Sequence, residues 1–386
     1  MSDEFVHPKV LAFRAKKIAH PKAKACLAAL IRAAVTPRPE SIHVLIGPGG
    51  SGKSTLAGRL KQHLIAFHAE RMKKDPGFLP FISVEAVAGF DGNYSWKDGL
   101  VRTLTSAGEV LINQKALNRF AVELDGEDVG SVRALLRDEL RRALENLVKH
   151  RKKPVLIIDE ASAILLTKKG GVPALQFEIL KSLAVLIKSP IVLVGAYDLL
   201  GILDGTGQLV RRSDVVHLSR YLIDGTTEVE VDGEAVDVSD RQHFLDALHT
   251  LLAAIDVEKE VDFTERVDYF MLKSVGCIGV LKDWLERALD LTLSTKHQIL
   301  TISIIEKTAL RNQSLIRLTK EAQLGEAKLK DLPDDDLAVL QGWTYVPSLV
   351  TPVAGQFPIP KPKKKSLAVR PGKRGPSRDP IGGLVG

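Results

Sequence analysis

The chain has 386 residues, 45% hydrophobic and 26% charged, which suits one or two folded domains with a sizeable core and excludes a wholly disordered protein. Its formal net charge of +7 is a modest basic excess, and such an excess marks a nucleic-acid partner only where Lys and Arg cluster. Cys26 and Cys277 are too few for a disulfide framework, and no apolar run approaches the roughly 20 residues of a membrane span, so a soluble, cytoplasmic protein with no membrane partner is expected.

In chain order, residues 1–38 read as an N-terminal helical segment, with Ala, Lys and Leu frequent from Ala15 to Ala34 and Pro37 closing it. Met1–Phe5 lacks the basic-then-apolar order of a secretion signal. Ile42–Ile46 is a short apolar run, hence a strand, followed by a glycine-rich loop and a helix from Lys53. Phe81–Val87 reads as a second strand, and Val129–His150 repeats Leu and Ala at helical spacing. Pro154–Ile158 and Ile191–Val194 are nearly all apolar, as in strands buried on both faces, with a helix between them over about 173–188. Val215–Leu218 is the last strand of this series. Strand–helix alternation of this kind predicts an α/β domain over 39–222, a parallel sheet flanked by helices.

After Tyr221 the pattern changes. Residues 226–238 alternate Val with Glu and Asp like a small hairpin, and from about Asp240 to Ala322 the periodicity is helical. Residues 223–325 are therefore expected to form a helical domain. Residues 326–386 are expected to be mostly disordered, with a turn or helix start at Pro333–Asp336 and a Pro-, Gly- and Lys-rich stretch from Pro347.

The chemistry concentrates in Gly47-Pro48-Gly49-Gly50-Ser51-Gly52-Lys53-Ser54, followed by Thr55. Glycines between a buried strand and a helix let backbone N–H groups converge on phosphate oxygens, and the helix N-terminus adds attraction. Lys53 is the group to reach the outer phosphates, and Ser54 the hydroxyl to bind Mg²⁺. The matching half is Val155-Leu-Ile-Ile158-Asp159-Glu160: an acid ending a buried strand to hold Mg²⁺, then a second to polarise an attacking water. An Asp-Glu pair, rather than Asp alone, favours ATP hydrolysis over phosphoryl transfer to a metabolite. ATP and Mg²⁺ are thus the expected cofactors. The ten histidines are scattered and form no nucleophile set.

A helical domain after such a sheet resembles the lid of AAA+ ATPases. In their rings an arginine from a neighbouring subunit completes the site, and Arg211 and Arg212 stand at the matching interval after Val194–Asp198. More specifically, Gly207-Gln-Leu-Val-Arg211-Arg212-Ser-Asp-Val-Val-His217-Leu-Ser-Arg220-Tyr221 resembles a segment of TnsC/TniB-type transposition regulators. Gly276-Cys-Ile-Gly279-Val-Leu-Lys282-Asp-Trp284-Leu-Glu-Arg287 resembles the lid of that group, and the similarity runs over about residues 5–310. It implies an AAA+ ATPase that assembles on double-stranded DNA as a helical ring or filament of six or seven subunits per turn. Such a protein links a target-selection protein, or a CRISPR complex, to the transposase. Two positions depart from the group. Ala196 stands where many members carry Thr, leaving Tyr197 or Asp198 as the polar candidates, or none, and Gly279 stands at a lid position that bears arginine in initiators, leaving Lys282 as a γ-phosphate candidate.

The resemblance also implies DNA contacts just after the second strand, at Trp96, Lys97 and Arg102, with Lys115 and Arg119 as further candidates. Contacts of that kind hold phosphate and carry little sequence preference. The basic tail, with Lys363-Lys-Lys365 and Lys373-Arg374, is expected either to attract DNA or to dock the transposase. Other classes of function compatible with a helical lid are a loader or initiator ATPase of replication or repair, and a nucleotide-switched signalling scaffold.

Overall fold

The computed structural model describes residues 6–36, 38, 40–109, 112, 129–167, 173–202, 213–231, 234–331 and 333–342. It divides into two compact units, residues 1–330 and 331–386.

The first unit is built on a five-stranded sheet. Its strands are β1 (Ile42–Ile46), β2 (Phe81–Glu85), β3 (Val155–Asp159), β4 (Ile191–Gly195) and β5 (Ser213–His217), in the order β2-β3-β4-β1-β5. Every pairing is parallel, with Ile46 beside Gly195 on one side and His217 on the other. β1 and β4 are buried at all five positions, as expected of all-apolar central strands, whereas the outer β2 and β5 are only partly covered.

Helices cover both faces. On one side α5 (Trp96–Ser106), α6 (Val129–His150) and α7 (Pro173–Ile187) meet the sheet in a core that includes Leu104, Leu144, Ile158, Leu180 and Leu193. On the other side α2 (Pro21–Val35) and α3 (Lys53–Phe67) bury Leu30, Leu60 and Leu64 against Leu45, Ile157 and Val192. The short α4 (Ala69–Lys74) follows α3. Each fully buried Leu or Ile of this kind contributes about 2 kcal/mol of apolar transfer.

The segment before β1 is not one continuous helix. α1 (Pro8–Ala15) ends at Lys16, and α2 starts afresh at Pro21, because the residue before a proline is driven out of the α region and His20 is extended at ψ 157°. The two helices serve different cores. α1 puts Val10 and Phe13 into the helical lid, while α2 packs on the sheet.

The lid follows a hairpin of β6 (Thr226–Val231) and β7 (Glu234–Ser239), paired antiparallel. It comprises α8 (Asp240–Ala253), α9 (Val267–Ser274), α10 (Ile278–Leu293) and α11 (Ile302–Thr308), with a two-residue parallel pairing of Glu258–Lys259 and Ile299–Leu300. Trp284 is its centre, fully buried against Phe270 and donating its indole N–H to the Ile305 carbonyl at 2.9 Å. α12 (Asn312–Lys328) then returns to the sheet domain. In the second unit, α13 (Asp334–Leu340) begins after Pro333 and places three aspartates in its first turn, where the helix dipole favours them. Among the described residues no helix is long and apolar enough to cross a membrane.

The joint between α2 and the lid is polar and buried. His20 Nδ1 lies 2.9 Å from the Tyr221 hydroxyl, and Lys22 pairs with Asp240 at 2.7 Å while sitting over the Tyr221 ring. Burial, then the nearby Lys22 charge, pushes the His20 imidazole down to about 4 from its ordinary 6.5. A histidine held neutral in the fold takes up a proton more readily when unfolded. Its contribution, about 3 kcal/mol, is therefore present above pH 6.5 and is lost as pH falls toward 4. His20→Gln is expected to flatten the fall of unfolding free energy across that window, followed by urea titration at each pH; an unchanged slope would show that another group carries it.

Candidate nucleotide-binding site

The loop between β1 and α3 turns on two glycines in the left-handed region, Gly50 at φ 73° and Gly52 at φ 101°. α3 then starts at Lys53 with no side-chain cap, so its first N–H groups are directed into the loop. The Ser51 hydroxyl is buried inside the loop with no hydrogen-bond partner. A buried orphan hydroxyl among converging donors fits an anionic oxygen.

Lys53 folds over this loop, its ammonium 2.9 Å from the carbonyl oxygens of both Gly47 and Pro48. Burial lowers its pKa from the ordinary lysine value, against the opposing pull of Glu160 and Glu321. A phosphate would restore the charge balance that burial disturbs. Asp159 ends β3, two places across the sheet from β1, and its Oδ1 accepts from the Ser54 hydroxyl at 3.4 Å. The same oxygen accepts from the Glu160 amide at 2.9 Å. This hydroxyl–carboxylate pair is a hard-oxygen donor set that suits Mg²⁺. Glu160 is held at φ 49°, uncommon for a residue with a side chain and costing roughly 1 kcal/mol. Its exposed side chain lines a cavity of about 320 Å³ together with Lys53, Ser54, Gly195, Ala196 and Glu321.

The candidates beyond β4 turn away from that cavity. Ala196 donates its amide to Ser162 Oγ at 3.0 Å, and Ser162 in turn donates to Asp198 at 2.6 Å. Asp198 also caps the Leu199 amide at 2.9 Å, and Tyr197 is buried with its hydroxyl 2.9 Å from His217 Nε2. Both polar groups are engaged within the sheet domain.

A second cavity, of about 460 Å³, adjoins the first and shares Gly52 and Thr55 with it. Its other walls come from the connection between α1 and α2, including Ile18 and His20, and from Ile278, Gly279 and Lys282 of α10. Lys282 is directed to this side, donating to the Arg14 carbonyl at 2.7 Å, so it does not face the Lys53 cavity. α10 reaches the loop directly: the Val280 amide donates to the Gly50 carbonyl at 3.2 Å. A Cβ at position 279 would overlap that same carbonyl, so this approach of α10 to the loop requires glycine there.

The expected DNA-contact residues are placed differently from one another. Trp96 is half-buried, edge-on to Tyr94 and donating its indole N–H to Gln176 at 2.8 Å, so packing engages its ring. Arg102 pairs with Asp98 one helical turn away at 2.6 Å, and Lys97 is exposed on the first turn of α5. Lys115, Arg119, Arg211 and Arg212, with the tail from 343, lie outside the described residues.

Sequence reasoning missed Glu321 and the walls of the second cavity. Nothing in the periodicity of α12 separates Glu321 from its other acid, Glu326, and residues 14–27 become a wall only once the lid folds.

Residues 37–203 match the family described as "AAA domain". No curated protein matches the chain. Among solved structures, the Aeropyrum pernix ORC1 protein in complex with DNA is similar at 14% identity, over 78% of this chain and 68% of that one, with a TM-score of 0.51. The Aeropyrum pernix ORC2 protein gives 14% identity, 88% and 86% coverage and a TM-score of 0.46. The Thermotoga maritima RuvB branch migration motor gives 16%, 86% and 86%, with a TM-score of 0.38. With its parallel sheet, the Gly47–Ser54 loop at the end of a central strand and Asp159–Glu160 two strands away, the segment 37–203 has the AAA-type P-loop fold and matches the AAA domain family.

Proposed function

We propose that this protein is an ATP-dependent, DNA-binding regulator of DNA transposition, which oligomerises on target DNA and links a target-selection complex to the transposase. The observation that carries its ATPase part is the convergence of Lys53, Ser54 and Glu160 on one cavity, with Asp159 bonded to Ser54. In this reading the loop amides and Lys53 hold the phosphates, and the adjoining cavity under α10 takes the nucleoside. Ser54 and Asp159 would hold Mg²⁺, which neutralises phosphate charge when bound. Glu160 accepts a proton from water at the cavity wall, and Arg211 or Arg212 of a neighbouring copy completes the site.

The transposition part is supported by the resemblance of the segments around Arg211–Tyr221 and Gly276–Arg287. In the structure these two segments meet, since the Tyr221 amide donates to the Gly276 carbonyl at 2.9 Å. The likeness to ORC1 in complex with DNA favours a second reading, an initiator or loader ATPase on DNA.

Electron microscopy of the protein with duplex DNA tests both. Rings or filaments on DNA are expected with ATP or a nonhydrolysable analogue and not without nucleotide, and Lys53→Ala is expected to remove them. A monomer indifferent to ATP would overturn the reading. Capture of a transposase subunit by the assembled form separates regulator from loader.

A further inference from the structure

α12 carries an acidic group to the phosphate end of the site. Leu318, Glu321, Ala322, Gly325 and Glu326 recur at i, i+3, i+4, i+7 and i+8, so they form one stripe of the helix. That stripe lies on the ATPase core. A Leu318 methyl comes 3.5 Å from where a Gly49 side chain would begin, directly above the glycine loop. Gly325 is pressed on the Tyr197 ring so closely that any side chain there would overlap it. Glu326 receives both arms of Arg220, at 2.8 and 3.1 Å. Between these anchors, Glu321 enters the lining of the cavity that holds Lys53, Ser54 and Glu160.

We propose that α12 is a gate on the phosphate end of the nucleotide site, with Glu321 occupying the side of the cavity that the third phosphate of ATP needs. This rests on the nucleotide reading above. Lys53 is the only cation among the described residues lining that cavity, set against Glu160 and Glu321. A triphosphate brings more negative charge beside those carboxylates than a diphosphate does, so it is opposed more strongly. ATP therefore lifts the helix, while ADP leaves it seated.

The anchors suit a helix that must come away. They are the Arg220–Glu326 ion pair, a hydrogen bond from Lys273 to Asn312 at 2.7 Å, one glycine contact and a short apolar stripe, and Ile316 and Leu324 on the other faces are exposed. Elements with few buried contacts open at low cost relative to the core.

The test is a competition between nucleotides. A nonhydrolysable ATP analogue and ADP are titrated against wild type and Glu321→Gln, an exposed position where glutamine keeps the shape. The variant is expected to bind the analogue about tenfold more tightly, with ADP affinity within about twofold. Hydrogen exchange across residues 312–328 of the wild type is expected to quicken with the analogue and not with ADP. ADP binding with an unchanged ratio of the two affinities overturns the gate alone. Failure of both nucleotides to bind either form overturns the nucleotide reading and the gate with it.

Discussion

Glu160→Gln is expected to lower ATP turnover by about 10²–10³-fold while leaving the affinity for ATP within about twofold. The two acids at the end of β3 have separate tasks. Asp159 Oδ1 is committed to the Ser54 hydroxyl and the Glu160 amide, so it shapes the loop and its metal ligands. Glu160 projects to the cavity wall, on a backbone held in the left-handed region that aims its side chain there. Glutamine preserves that shape and removes only the basic carboxylate, so binding survives and the proton acceptor is lost. Phosphate release under saturating ATP measures turnover, and a fluorescent nucleotide titration measures affinity. Wild-type turnover in the variant would assign the water to a different group.

Gly276→Ala is expected to cost about 3 kcal/mol of stability, in urea unfolding followed by circular dichroism. Two penalties combine at this position. Gly276 has φ 71°, in the region that opposes any Cβ, and it follows Val275, itself left-handed at φ 57°. An alanine Cβ would also overlap the Tyr221 carbonyl, which is backbone and has no rotamer by which to yield. Relief requires α9 and α10 to shift away from the end of the sheet domain. Nucleotide affinity should fall with stability, because α10 brings the Val280 amide to the Gly50 carbonyl. A loss under about 1 kcal/mol would mean that the joint accommodates a methyl by moving, and that its tightness is incidental.

The sheet and the phosphate loop were legible because their signals are local. A run such as Val155–Ile158 needs no partner to declare itself buried, and Gly50 and Gly52 mark the turn by themselves. The small hairpin after Tyr221 followed from alternation alone. Signals that depend on distant residues were not legible. Trp96 beside Lys97 was equally consistent with a DNA contact and with packing, and only Gln176, 80 residues away, shows where its N–H goes. The break between α1 and α2 was written in His20–Pro21, and frequent Ala and Lys around it obscured it. Tyr197 and Asp198 had the right chemistry for a phosphate sensor, yet His217 and Ser162 engage them. Lys282 is engaged by the Arg14 carbonyl, in the lining of the second cavity and not of the one that holds Lys53.

The division of labour between α1 and α2 has a mechanical consequence. One is embedded in the lid core and the other in the sheet core, and only residues 16–20 connect them. Five residues stretch to about 17 Å at most, so the lid is on a short leash as well as a covalent hinge after β5. A body held at two points can twist or slide against its neighbour, but it cannot swing wide. Because the leash itself forms a wall of the second cavity, any such twist changes the width of the slot available to a bound base. Lengthening the leash by a few glycines would therefore loosen the grip on nucleotide without touching a single residue of the phosphate loop.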